Sequence, residues 1–98
     1  MSVDVSFNTF AELELYEAAQ YYLERGDDLA ERFLSAIARA LNFISEYPDA
    51  SHRVRGTIRQ RSLHRFPYAI LYKPEPAQLR VLAIKNHKRR PSYWHGRT

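Results

Sequence analysis

Residues 57–86 read TIRQRSLHRFPYAILYKPEPAQLRVLAIKN, and the fold turns on how this stretch divides. Its β-branched, aromatic and basic residues come in short runs, punctuated at Phe66-Pro67 and at Lys73-Pro74-Glu75-Pro76. Proline fixes its own φ and lacks a backbone donor, so both points read as turns between strands. The division predicts strands at 57–65, 68–73 and 79–86, joined by links short enough to make neighbours antiparallel. In the last strand Leu82 and Ile84 are expected on one face, with Leu79, Val81 and Ala83 on the other, as in a strand covered on both sides. In the first, Arg59, Arg61 and Arg65 share the parity of Leu63, so guanidinium groups line one face at steps of roughly 7 Å.

Upstream, Val3, Val5 and Phe7 alternate with Ser2, Asp4 and Ser6, which predicts a half-buried opening strand. Asn8 or Thr9 can then cap a helix whose apolar positions Ala11, Leu15, Ala18, Ala19 and Tyr22 recur at steps of three and four, up to a stop at Gly26. Asp27 or Asp28 is the expected cap of a second helix, with Glu31 placed to complete a capping box. Its expected buried stripe is Ala30, Phe33, Leu34, Ile37, Leu41 and Ile44, and Pro48 ends it near Tyr47. The connection is so short that the two helices form a hairpin. The reading is a single α+β domain over residues 1–98, in the order β-α-α-β-β-β. An N-terminal strand and helical hairpin precede a three-stranded antiparallel meander, and the hairpin packs on one face of the sheet. The other face is left without helices, and the arginines are expected there.

Ninety-eight residues without cysteine leave neither disulfides nor a thiolate zinc site to supplement a small core. Hydrophobic residues at 45% are enough for packing alone to stabilise the fold. The longest nearly unbroken apolar run, Phe66 to Tyr72, falls far short of the roughly 20 residues that cross a bilayer. No basic residue precedes Arg25, so a secretory signal is not expected, and a cytoplasmic location away from membranes is.

The net charge of +4 conceals a strong segregation: residues 1–51 carry three basic and ten acidic side chains, residues 52–98 twelve basic and one acidic. A surface this cationic attracts polyanions or an acidic protein. The four histidines, His52, His64, His87 and His95, stand in no ligand spacing, and the isolated Gly26, Gly56 and Gly96 cannot build a phosphate loop. Neither a metal nor any other cofactor is expected. A polyanion site remains, drawn from Arg59, Arg61, Arg65, Lys85, His87, Lys88, Arg89, Arg90 and Arg97, with Tyr93 and Trp94 interleaved. Guanidinium groups bind phosphate or carboxylate in bidentate fashion, and flat aromatics stack on bases or anchor interfaces. Metal-free RNA cleavage would require a base, an acid and cations for the phosphorane, roles that His87, Arg61 and Arg90 can fill chemically.

The element order resembles the RelE/ParE family of toxins from type II toxin-antitoxin modules, as do "AAQYY" at 18–22, "RFPYAILY" at 65–72 and "VLAIKNHKRRPSYW" at 81–94. The likeness spans nearly the whole chain and is nearest to the ParE-like branch often labelled plasmid stabilisation proteins. It implies growth inhibition by one of two routes: ParE members trap DNA gyrase on cleaved DNA, whereas RelE-like members cut mRNA on the ribosome. The ribonuclease branch typically carries an arginine in the strand that here reads Pro67-Tyr68-Ala69-Ile70, and Lys88 follows His87 where a tyrosine can stand. The resemblance therefore implies gyrase poisoning first, a ribosome-dependent endonuclease using Arg61, His87 and Arg90 second, and an inactive antitoxin-binding domain third. Each implies a cognate antitoxin with an acidic or amphipathic C-terminal segment.

Overall fold

The computed structural model describes residues 4–98. The elements are β1 (Asp4–Phe7), α1 (Thr9–Leu23), α2 (Asp27–Glu46), β2 (His52–Arg55), β3 (Ile58–Ser62), β4 (Tyr68–Pro74) and β5 (Gln78–Asn86). They form one mixed sheet of order β1-β5-β4-β3-β2, in which β1 runs parallel to β5 and the other neighbours are antiparallel. This is the α+β arrangement read from the sequence, with one strand more. The extra strand, β2, is four exposed residues turned back onto β3 at Gly56, whose φ of 57° suits glycine. Val3, expected in the first strand, lies outside the described residues.

Asn8 caps α1, its side-chain oxygen accepting from the Phe10 amide at 2.7 Å. The small residues Ala11 and Ala18 form the buried side of α1, which lets its backbone approach the sheet. At α2 the expected capping box is absent. Gly26 is the N-cap, with φ 154°, and Asp27 and Asp28 lie inside the first turn, where their charge complements the positive helix terminus. The buried stripe of α2 is Ala30, Phe33, Ala36, Ile37, Ala40 and Ile44, so Leu34 is displaced outward and is 45% exposed. Phe33 anchors an aromatic cluster, its ring centroid 5.1 to 5.4 Å from those of Tyr22, Phe66 and Tyr68. Full burial of a side chain this size stabilises by about 2–3 kcal/mol.

The face turned from the helices is not open. Trp94, only 3% exposed, packs there on Leu71 and Ala83, with Ile58 and Tyr93 at its edges, so the segment after β5 forms a second layer. Strict alternation along β5 also fails. Leu71 pairs with Ala83 and Tyr72 with Val81, which leaves Leu82 as an extra residue in a β-bulge. Leu79, Val81 and Ile84 consequently all join the core beneath the helices, while Ala83 faces the tail.

Candidate target-binding surface

The arginine ladder has two rungs rather than three, because β3 ends at Ser62 and Arg65 sits in the following turn with φ 71°. Both rungs lie on the helix-bearing face. Arg61 stacks over the Phe43 ring of α2 at 3.9 Å, and Arg59 donates to the carbonyls of Asp49 and Ser51 at 3.1 and 2.6 Å, close to the Asp49 carboxylate. The reason is parity: Leu63 is buried beneath the helices and carries Arg59 and Arg61 to the same side. Arg65 stays exposed, beside a groove of about 610 Å³ in which Asp28 and Glu31 offset Arg32 and Arg39.

His87, Lys88, Arg89 and Arg90 are all exposed where β5 runs into the tail. Local hydrogen bonds set this turn. The Lys88 amide donates to Asn86 Oδ1 at 2.9 Å, the Arg89 amide to the Asn86 carbonyl at 3.0 Å, and the His87 amide to the Pro67 carbonyl at 2.9 Å. The last bond ties the basic turn to the loop that carries Arg65, so these cations share one end of the sheet. No hydrogen bond involves the His87 imidazole among the described residues.

Lys85, Trp94 and Arg97 are built inward instead. Lys85 is 8% exposed opposite Ala69, and Trp94 fills the second layer. Arg97 forms a two-pronged pair with Glu14 of α1, N–O 2.8 and 3.1 Å, and donates to the Leu82 carbonyl at 3.1 Å. Glu14 Oε1 also accepts from the Ile84 amide at 3.0 Å. Glu14 and Arg97 thus satisfy backbone groups of β5 beyond the point where β1 ends. Tyr93 lies between Arg89 and Arg97, whose guanidinium carbons are 4.0 and 4.9 Å from its ring centroid. Its hydroxyl is buried without a hydrogen bond of good geometry; burial, then the Glu14 carboxylate beside it, push its ionisation well above the ordinary phenol range.

Of the three groups considered for acid–base cleavage, Arg61 is not assembled with His87 and Arg90, which share the exposed turn after β5. Arg61 pairs in register with Ile70, and Ile70 with Ile84, two strand spacings away and three residues short of His87. That separation is roughly 13 Å in the backbone, and the Arg61 guanidinium is turned to the helices. Arg53 and Arg55 of β2 escaped the sequence reading, since a run of four residues is too short to show a period. Glu14 escaped it too, as nothing local signals a partner 83 positions away.

A solved chain described as belonging to the chromosomal ParDE TA system from P. aeruginosa shares this architecture, with TM-score 0.73 and 15% identity over 87% of this chain and 96% of that one. The helical hairpin on a mixed sheet is thus an established fold. Residues 5–91 match the ParE toxin family of type II toxin-antitoxin systems, and the chain belongs to that family. No curated protein matches the sequence. No helix among the described residues is long and apolar enough to cross a membrane.

Proposed function

We propose that the chain inhibits growth by binding DNA gyrase and stalling it on cleaved DNA, without bond-breaking chemistry of its own, and that a cognate antitoxin neutralises it. The observation that carries this reading is the seating of Arg61 over Phe43, away from His87, which takes one of the three groups needed for metal-free cleavage out of reach and leaves only Arg90 on the same turn as the imidazole. His87, Lys88, Arg89, Arg90 and Arg65 then serve as a docking surface, where charge draws in a large anionic target and guanidinium forks fix the register. Tyr93, Trp94, Lys85 and Arg97 support that surface from beneath, and Arg59 and Arg61 brace its neighbouring strand. The antitoxin contributes an acidic or amphipathic segment that covers the same cations.

The test runs purified gyrase supercoiling and DNA-cleavage assays beside a ribosome-programmed mRNA cleavage assay. Accumulation of cleaved gyrase–DNA complex with intact message is the expected result. Codon-biased message cuts with normal supercoiling would transfer the assignment to the endonuclease reading.

A further inference from the structure

At the opposite end of the sheet from His87 lies a cleft of about 660 Å³, within the roughly 300–1,000 Å³ range of small-molecule sites. Its apolar floor is the half-buried Ile58, with Leu82 almost wholly buried behind it, and Arg55, Lys73 and Arg80 stand around it. We propose that this cleft binds a nucleotide, its phosphates held by the three cations and its base laid on the apolar floor.

Charge accounting supports an anion. Among the described residues Arg55, Lys73 and Arg80 enter no ion pair; the pairs formed are Arg32–Asp28, Arg59–Asp49 and Arg97–Glu14. Arg97 also borders the cleft, but its charge is committed to Glu14. The single side-chain carboxylate in the lining, Glu75, accepts from Gln78 Nε2 at 2.8 Å and keeps its charge, so Arg55, Lys73 and Arg80 outnumber it three to one. Arg80 spends one donor on the Thr98 carbonyl at 3.2 Å, and a guanidinium carries five. Arg55 has only a long contact of 3.4 Å to His95 Nδ1. Three like charges around one cavity repel each other, and a phosphate bridging them removes that cost while making charge-assisted bonds.

The site is separate from the proposed target surface. Lys73 and Arg80 pair near the start of β5, whereas His87 follows its end, a distance of roughly 20 Å along the strand. The ligand chemistry is the phosphorylated base, either as a free nucleotide or as the phosphorylated end of a strand.

Isothermal titration of the purified chain with pyrophosphate, ATP and a 5′-phosphorylated single-stranded DNA oligomer tests the proposal. ATP is expected to bind at least about tenfold more tightly than pyrophosphate, because the base adds to the phosphates. The double variant Arg55→Ala/Lys73→Ala should weaken ATP by about tenfold or more with an unchanged unfolding temperature, as both residues are exposed. Arg89→Ala/Arg90→Ala should leave ATP binding unaltered. Oligomer binding much tighter than ATP, with the same response to the variants, assigns the cleft to strand ends; ATP as tight as the oligomer assigns it to the free nucleotide. No saturable binding of ATP or oligomer at millimolar concentration overturns the proposal. Equal loss in both double variants does so as well, since it reduces the effect to overall charge.

Discussion

Glu14 and Arg97 join the first helix to the end of the tail through two bonds of 2.8 and 3.1 Å, and both side chains are largely removed from water. Removing one partner strands the other's charge and one backbone group of β5, the Ile84 amide for Glu14 or the Leu82 carbonyl for Arg97. Glu14→Ala or Arg97→Ala should therefore cost about 3–5 kcal/mol, measured by urea unfolding. A double-mutant cycle should return a coupling of at least about 1 kcal/mol. Single losses near zero would mean that the pair contributes nothing to holding the tail.

Trp94 is the only tryptophan in the chain, and it fills the second layer of the sheet. Its emission should be blue-shifted and poorly quenched by iodide in the folded protein. Trp94→Ala should cost about 3–5 kcal/mol through the cavity left over Leu71 and Ala83. Free access of iodide to the native fluorophore would show a detached tail.

Arg89 and Arg90 are exposed, and the first gains only a stacking contact with Tyr93 worth about 0.5–1 kcal/mol. Their joint replacement by alanine should barely move the unfolding temperature and abolish growth inhibition. Toxicity retained at full strength would remove the basic turn from the target surface.

His87→Gln keeps hydrogen bonding but removes proton transfer. On the gyrase reading the variant remains toxic. A collapse of toxicity with a folded protein would restore the imidazole to a chemical role.

Burial raises the ionisation of both Tyr22 and Tyr93. The folded chain holds these protons when the unfolded chain has begun to release its own, so the stability these two contribute is level below pH of about 10 and falls as pH rises past it. Tyrosinate absorbance should show a late step, and Tyr93→Phe should diminish it. Simultaneous titration of all seven tyrosines in the native state would contradict the burial of these two.

Most of the architecture was legible because its signals are local. Asn8 caps where its side chain predicts, Pro48 ends α2 close to Tyr47, and the strand limits of β4 and β5 fall within a residue or two of the proline punctuation. The orientation of Arg59 and Arg61 was not legible, since parity groups side chains without saying which face the helices cover. The Leu82 bulge breaks that parity without any composition signal, and β2 is too short to announce itself. In the candidate site the exposed run His87–Arg90 could be read directly. The inward placement of Trp94 and Arg97 could not, because it depends on Leu71, Ala83 and Glu14, each distant in the chain.

The parallel pairing of β1 with β5 has a consequence for biosynthesis. A chain growing from its N-terminus cannot complete the sheet until Asp4–Phe7 meet Gln78–Val81, and Glu14 must wait longer still for Arg97. Contacts so far apart in sequence form late. A nascent or truncated product that stops short of Arg97 therefore lacks this clasp, and the first helix is not yet tied to the segment after β5.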